Sequence, residues 1–157
     1  SKPGGRRVSM TFAIGPTTAG VEAPVYCVGV VPESARPFTT ASELDAAAFT
    51  VEVSNIDLTA DYPVAAAAKA RLAQIAAHMH RTFQMPLDRA RVLSHQEVYR
   101  LGLGSYPTAC PGPDLQRSLD DIVSRATELV KPPIDPEEGT MYKYIWNGVA
   151  APNAGAR

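Results

Sequence analysis

Residues 93–115 read LSHQEVYRLGLGSYPTACPGPDL, and the interpretation of the whole chain starts from this stretch. His95 opens a loop rich in glycine and proline that ends at Cys110-Pro111-Gly112, just before an amphipathic segment. Histidine nitrogen and cysteine thiolate are both good zinc ligands, and a catalytic zinc site adds a third protein ligand and a water molecule. On spacing alone the pair is a weak indication of a metal site, because a histidine at a strand end is more often structural.

Two helices are predicted on either side of this stretch. Apolar residues recur at helical spacing from Pro63 to Gln84, and Pro63 suits the first turn of such a helix. A second apolar stripe runs from Asp114 to Val130, with Asp114 as the predicted N-cap. Between the helices, the glycines and prolines of Gly102 to Pro113 predict a long loop.

Strands are predicted from β-branched and apolar runs at Arg7 to Ile14, Val25 to Val31, Phe49 to Asn55 and Arg91 to Ser94. In the third run, Val51 and Val53 would share one face, whereas Thr50, Glu52 and Ser54 would share the other. Pro32 to Leu44 is predicted to be a loop. The interleaving of strands and helices predicts a mixed α/β domain with a central β-sheet flanked by helices.

The bulk composition limits the classes of partner. The 157 residues fit one domain, with 45% hydrophobic and 20% charged residues. A formal net charge of -1 gives no electrostatic reason to expect nucleic acid or an anionic membrane as a partner. No apolar run is long enough to span a bilayer, and residues 1–7, a predicted disordered end, are not followed by a signal-type stretch. Cys27 lies in an apolar run and is predicted to be a buried, unreactive thiol.

Three further side chains were candidates for chemistry. His78 and His80 lie two residues apart on the predicted helix, so they diverge and cannot chelate one ion. We interpret both as boundary residues near solvent. Glu52 is a carboxylate on an otherwise apolar strand. It is either a solvent-facing residue of a half-exposed sheet or a general base beside a metal-activated water, and the residues alone favour neither.

Four segments together resemble a known family, the zinc-dependent N-acetylmuramoyl-L-alanine amidases. These type-2 amidases belong to a superfamily that includes the peptidoglycan-recognition proteins and many phage endolysins. The resemblance is carried by a Gly-His-x-Asp/Glu-Val pattern at Leu93 to Val98 and a Thr-x-Cys-Pro-Gly pattern at Ser105 to Pro113. Val8 to Ile14 and Phe49 to Asn55 are similar to the family's Val-Ser-x-His-Tyr/Phe-x-Ile and Ile-Gly-Ile-Glu-x-x-Asn strands. The match spans roughly residues 8–130, in family order.

The resemblance implies a zinc hydrolase. His95 matches the family's second zinc ligand and Cys110 its third. Glu52 matches the carboxylate that acts as general base in many members. Thr108 falls where some amidases carry a lysine and others a threonine, which would polarise the substrate carbonyl. The implied reaction is hydrolysis of the amide between N-acetylmuramic acid and L-alanine in peptidoglycan.

The resemblance also implies a biological setting. The segments Pro37 to Thr40 and Tyr106 to Gly112 are most similar to endolysins of phages that infect actinobacteria, including mycobacteria. Such a protein would act as a monomer on the bacterial cell wall, delivered from the host cytoplasm by a phage holin. Its substrate, a muramyl peptide, would contact Asn55 and Tyr106.

The chain departs from the family pattern in specific places. Met10 stands where some members carry a catalytic tyrosine, and Thr11 replaces a common histidine that is not a ligand. The family's first zinc ligand, a histidine on an earlier strand, has no counterpart in residues 1–7. We therefore expect an amidase-like domain at 8–130 without its first strand, followed by a C-terminal extension and linker at 131–157. Within that extension, the aromatic stretch Met141 to Trp146 is expected to pack on the core.

The absent ligand keeps a second interpretation open. Some relatives retain the fold and the groove but lose zinc, and bind wall fragments without cutting them. A non-catalytic peptidoglycan-binding module is therefore the alternative function. Cys110 argues against it, because non-catalytic members commonly lose that cysteine.

Overall fold

A computed structural model describes residues 11–15, 25–26 and 43–131. In chain order these form β1 (Phe12–Ile14), β2 (Val25–Tyr26), a 3-10 turn (Glu43–Ala46), β3 (Val51–Val53), α1 (Ala66–Phe83), α2 (His95–Arg100) and α3 (Pro113–Val130). The predictions for Met10, Cys27, Pro37 to Thr40 and Met141 to Trp146 lie outside the described residues. None of the helices within those ranges has the length and apolar content needed to cross a bilayer.

The three strands form one mixed sheet with β1 in the centre. β1 pairs with β2 in the antiparallel sense and with β3 in the parallel sense, where Ala13 lies opposite Glu52. The start of the parallel pair is held by Thr11 and Thr50, each of whose backbone N–H groups donates to the other's hydroxyl, at 3.1 and 3.2 Å. Helices and a mixed sheet are thus both present, and the amidase-like topology stays a prediction.

The core lies where α1 and α3 pack on each other and on the sheet. Ala68, Ala73 and Ala77 are each 1% exposed, and their small side chains let the two helices approach closely. From α3, Ile122 is 2% exposed, and burial of such a side chain stabilises the fold by about 1.5–3 kcal/mol. Ile14 of β1 is 1% exposed and joins the sheet to this core.

The predicted alternation of β3 is confirmed. Val51 and Val53 pack against the core, whereas Glu52 between them is exposed. Successive residues of a strand point to opposite faces, so this arrangement follows directly from the sequence pattern. The structure therefore leaves the Glu52 carboxylate on the side of the sheet that the core does not occupy.

Both long helices form, but their predicted starts were wrong. α1 begins at Ala66, and Pro63 lies before it in a loop, where its carbonyl accepts a 2.7 Å hydrogen bond from the Ile56 N–H. α3 begins at Pro113 with Gly112 as the N-cap. Proline suits the first helical position because its missing N–H would have had no partner there.

Asp114 is not the N-cap because its carboxylate is engaged elsewhere. One oxygen accepts a 2.8 Å hydrogen bond from the Val64 N–H, and the other accepts one from the Lys69 ammonium at 2.8 Å. These contacts join the start of α3 to the start of α1. A pairing across 50 positions of sequence cannot be read from local capping preferences.

The predicted strand at Arg91 to Ser94 was wrong, because this segment consists of turns and the N-cap of α2. The Ser94 hydroxyl accepts from the Glu97 N–H at 3.2 Å, and the Glu97 carboxylate accepts from the Ser94 N–H at 2.8 Å. This reciprocal pair is a capping box, in which a serine and a glutamate three residues later satisfy two helix-terminal donors. His95 is therefore the first residue of a helix and does not follow a strand.

The two histidines of α1 are boundary residues, as predicted. Both are half-buried. Nδ1 of His80 lies 2.9 Å from the carbonyl oxygen of Met85, so this ring holds the chain just beyond the end of α1. Nδ1 of His78 lies 3.4 Å from the Thr82 hydroxyl on the next turn of the same helix.

Candidate functional site

The His95 side chain has an unsatisfied nitrogen. Its Nε2 atom is buried and has no hydrogen-bond partner among the described residues. The ring packs edge-on against Tyr106, with centroids 5.3 Å apart and planes at 76°. A buried polar atom without a partner costs about 1–3 kcal/mol, so such an atom in a folded protein calls for a specific explanation. A bound metal ion or ligand group at Nε2 would supply the absent partner.

Cys110 is tied to the helix that carries His95. The backbone N–H of Gln96 donates a 3.0 Å hydrogen bond to the Cys110 carbonyl oxygen. The Cys110 N–H in turn donates to the Thr108 hydroxyl oxygen at 3.1 Å, and the Gly112 N–H donates to the Ala109 carbonyl at 2.9 Å. These bonds wind residues 108–112 into a tight turn beside α2. The two predicted zinc ligands thus lie on neighbouring, connected backbone segments.

Glu52 acts electrostatically on the Cys110 thiol. Although Cys110 as a residue is exposed, burial of its thiol raises the pKa of that group, and the Glu52 carboxylate raises it further. A negative charge close to a thiol disfavours the thiolate. A cation bound between these groups would remove the repulsion and favour the thiolate, because a positive charge reverses the local electrostatics. The Glu52 carboxylate of β3 is therefore near enough to the 108–112 turn to act on the Cys110 thiol.

The two predicted substrate-contacting residues have different surroundings. Tyr106 lies against the His95 ring and is half-buried. Asn55 uses its amide nitrogen to donate a 2.7 Å hydrogen bond to the Tyr62 carbonyl oxygen, which closes the loop that follows β3. One of its two amide hydrogens is thus engaged within the protein, and a substrate contact at this position would involve the other hydrogen or the side-chain oxygen.

Sequence reasoning missed the loop at residues 56–62, which borders the Cys110 turn. The Tyr62 side chain packs so closely on Gly112 that a Cβ atom at Gly112 would lie 2.8 Å from the Tyr62 Cβ. Arg117 forms an ion pair with Asp61 at 3.0 Å and fastens the loop to α3. The loop presents Leu58 to solvent, 83% exposed. Loops of this kind beside a functional site commonly contribute to ligand binding. No local sequence motif in residues 56–62 predicts this one.

Sequence reasoning also missed the ion pairs of Arg89 around the start of α2. Arg89 pairs with Glu97 of the capping box and with Asp120 of α3. The Ser94-x-x-Glu97 spacing is the signal that could have located the helix start. The partners Arg89 and Asp120 carry no such signal, because they are distant in sequence from each other.

A cavity of about 590 Å³ opens between the start of β3 and the segment that leads into α2. Its walls are mostly apolar, with His95 and Arg91 among the polar lining residues. Phe49 and Val51 line the strand side, and Phe83 closes the end near α1. A concave, largely apolar space with a few polar groups is typical of ligand-binding pockets. His95 therefore lines this cavity and belongs to the helix that is hydrogen-bonded to the Cys110 turn.

The donor set fits part of a zinc site. Imidazole nitrogen and thiolate are donors that zinc prefers, and the unpartnered Nε2 of His95 is an atom that needs a partner. Within residues 11–15, 25–26 and 43–131, no group of three or more histidine, cysteine, aspartate or glutamate side chains is placed to hold a metal ion. The chain matches no protein-family model, no curated protein and no solved structure.

Proposed function

We propose that this protein is a zinc-dependent peptidoglycan amidase that cleaves the bond between N-acetylmuramic acid and L-alanine. The observation that carries the proposal is the buried, unpartnered Nε2 atom of His95 beside the turn that holds Cys110. A structural histidine commonly satisfies its buried ring nitrogens within the protein, as Nδ1 of His80 does with the Met85 carbonyl oxygen. The choice of this reaction rests on the resemblance of residues 93–98 and 105–113 to the motifs of zinc-dependent N-acetylmuramoyl-L-alanine amidases.

His95 and Cys110 would hold the zinc through Nε2 and Sγ. A catalytic zinc site uses three protein ligands and keeps one position open, so a third ligand has to come from outside the described residues. The cavity lined by Val51 and His95 is where we expect such a ligand to approach the metal. Zinc, when bound, supplies Lewis acidity toward a water molecule and toward the scissile carbonyl.

Glu52 would act as the general base and then as the general acid. Its carboxylate lies on the exposed face of β3 and acts on the Cys110 thiol, so it borders the proposed reaction centre. It would accept a proton from the attacking water and pass that proton to the nitrogen of the departing L-alanine. A positioned carboxylate that moves a proton in this way contributes about 10²–10⁴-fold to the rate.

Thr108 would stabilise the negative charge that develops on the substrate carbonyl oxygen. Its hydroxyl oxygen accepts the Cys110 N–H, which fixes the side chain on the ligand-bearing turn. A hydroxyl that accepts one hydrogen bond still has its own proton to donate. That O–H would donate to the oxyanion as it forms, and a preorganised donor is worth more in the transition state than in the ground state.

The substrate would lie across the end of β3, between Tyr106 and the loop at 56–62. Tyr106 contacts the His95 ring, and Tyr62 contacts Gly112 two positions from Cys110, so the two tyrosines border the turn from different elements. Apolar and aromatic side chains suit the sugar and the alanine methyl group of a muramyl peptide. We place the reaction at the bacterial cell wall, where a phage endolysin would work.

The test is a chemical assay on purified actinobacterial peptidoglycan with zinc present. An amidase creates new amino-terminal L-alanine without new reducing sugar ends, and both are measured after derivatisation and mass spectrometry. Glu52→Gln should lower the release about 10²–10⁴-fold, whereas Glu43→Gln, a change at another exposed glutamate, should not.

The assay is run with this chain and with the chain plus any residues that precede Ser1 in its gene. If neither releases L-alanine termini while both are folded, the amidase proposal is contradicted. Wall binding without cleavage would instead support the non-catalytic module.

A further inference from the structure

Arg89 joins three parts of the structure around the start of α2. Its Nε atom contacts the Asp120 carboxylate of α3 at 2.9 Å. One terminal nitrogen donates to the carbonyl oxygen of Val92, in the turn before the helix. The other donates to Oε1 of Glu97. A guanidinium has several donors in a rigid plane, so these contacts fix the relative positions of the turn, α2 and α3.

The Glu97 carboxylate links Arg89 to Ser94 at the start of α2. One carboxylate oxygen contacts Arg89, and the other accepts the Ser94 N–H at 2.8 Å. Gln116 of α3 also hydrogen-bonds the Glu97 side chain. Ser94 is 6% exposed and its hydroxyl accepts the Glu97 N–H. The carboxylate therefore closes the capping box on one side and pairs with a cation on the other.

His95 lies between Ser94 and Glu97 in sequence and is the first residue of α2, so these contacts hold the backbone that carries it. α2 has six residues, and a helix this short is not stable by itself. Its first turn is therefore maintained by the contacts of Ser94, Glu97 and Arg89. Nε2 of His95 has no hydrogen-bond partner among the described residues, so no hydrogen bond at that atom fixes the ring, which packs against Tyr106.

We propose that Arg89 and Glu97 are positioning residues, which hold His95 in the orientation needed to bind metal. The metal part of this inference rests on the proposed function, whereas the orientation of the ring is independent of it. Residues that orient a ligand without touching the metal typically change metal affinity about 10–100-fold when they are removed.

Two substitutions of Glu97 separate the capping role from the ionic role. Glu97→Ala removes both the acceptor for the Ser94 N–H and the partner of Arg89. Glu97→Gln removes the negative charge but keeps a side-chain oxygen that can accept the Ser94 N–H, as glutamine does in other capping boxes. Asp121→Asn is the matched control, since Asp121 pairs with Arg125 at 2.7 Å on the same helix as Asp120 but contacts neither Arg89 nor Glu97.

The first readout is the ¹⁵N spectrum of the His95 ring in the metal-free chain, and the second is zinc affinity by competition with a chromophoric chelator. We expect Glu97→Ala to shift the ring signals and to weaken zinc binding about 10–100-fold. Glu97→Gln should restore part of both, and Asp121→Asn should match the wild type.

Unchanged His95 signals and unchanged zinc affinity in folded Glu97→Ala would overturn the inference, and so would equal effects in Asp121→Asn. Circular dichroism and urea unfolding establish that each variant is folded. If Glu97→Ala does not fold, Arg89→Met replaces it, and the same outcomes apply. If the wild-type protein binds no zinc, with or without any residues that precede Ser1 in its gene, the proposed function is contradicted, yet the metal-free ring signals still decide the positioning claim.

Discussion

The backbone N–H of Gln96 donates a 3.0 Å hydrogen bond to the carbonyl oxygen of Cys110. This bond fastens the first turn of α2, which begins at His95, to the turn at 108–112, which carries Cys110. The proposed metal ligands are therefore coupled through backbone, even without a metal ion between them. A site built on connected backbone segments is held in place before the ligand arrives, which reduces the cost of ordering it on binding.

Removing the Glu52 charge should make Cys110 more reactive. Burial raises the pKa of this thiol and the Glu52 carboxylate raises it further, so Glu52→Gln should lower that pKa and increase the thiolate fraction. In metal-free buffer near pH 8, alkylation of Cys110 by iodoacetamide, followed by peptide mapping, should be faster in Glu52→Gln. Glu43→Gln controls for the change in net charge. Equal alkylation rates in all three proteins would separate Glu52 from the site.

Thr108 should tolerate serine but not valine. Serine retains a hydroxyl that accepts the Cys110 N–H and can donate to the substrate, whereas valine has the same shape without either ability. Loss of one transition-state donor costs about 10²–10³-fold in kcat, and that is the expected deficit of Thr108→Val in the L-alanine release assay. A Thr108→Val protein with wild-type kcat would limit Thr108 to a role in the turn.

Gly112 should be far less replaceable than Gly102. Gly112 has φ 90° and ψ 163°, a conformation available almost only to glycine, and an added Cβ would lie 2.8 Å from the Tyr62 Cβ. Gly102 also has a positive φ of 73°, but an added Cβ there meets nothing within 4 Å. Gly102→Ala should lower the free energy of unfolding by about 1–2 kcal/mol. Gly112→Ala should lower it by more than that, as measured by urea unfolding, and a smaller loss would contradict the close contact with Tyr62.

Asp114 should contribute stability that disappears in acid. The hydrogen bond from the Lys69 ammonium, and then that from the Val64 N–H, hold the pKa of Asp114 below its usual range. A depressed pKa means that the contribution is complete above the unfolded pKa, about 4, and is lost as the pH falls through the folded value. Asp114→Asn should lower the free energy of unfolding at pH 7 by about 1–3 kcal/mol and reduce its dependence on pH below about 4.

The matched control for this titration is Asp121→Asn, which removes an exposed carboxylate of the same helix. Its unfolding free energy should stay within about 0.5 kcal/mol of the wild type, since exposed ion pairs contribute little. If Asp114→Asn and the wild type lose stability in parallel below pH 4, Asp114 is not a source of the acid sensitivity.

The helices could be predicted from the sequence because their apolar residues recur over many turns. The predicted helix at 63–84 is observed at Ala66–Phe83, and the one at 114–130 at Pro113–Val130. The N-cap of α3 could not be predicted, since Asp114 is engaged by Val64 and Lys69 from a distant part of the chain. The spacing of apolar residues predicts which face of a helix is buried. It does not predict which distant residue forms a hydrogen bond with a side chain at the end of the helix.

The candidate site was predictable only in part, for a related reason. His95 and Cys110 stand out because their side chains are common metal ligands. The strand predicted before His95 was wrong, because Ser94 and Glu97 form a capping box that begins a helix there. Arg89 and its partner Asp120 were not predictable, because a charged residue in a turn is usually just solvated. Only the folded structure shows that Arg89 contacts the turn before α2 and the Glu97 side chain of the helix that carries His95.

The most direct test of the central claim is a zinc titration of the purified chain, followed by calorimetry or chelator competition. We expect one zinc ion per chain, with affinity reduced more than about 100-fold by either His95→Ala or Cys110→Ser, because each ligand contributes a large share of the binding free energy. His78→Ala and His80→Ala should bind zinc as the wild type does. Absence of zinc binding both in the wild-type chain and in the chain plus any residues that precede Ser1 in its gene, or undiminished binding in both His95→Ala and Cys110→Ser, would contradict this expectation.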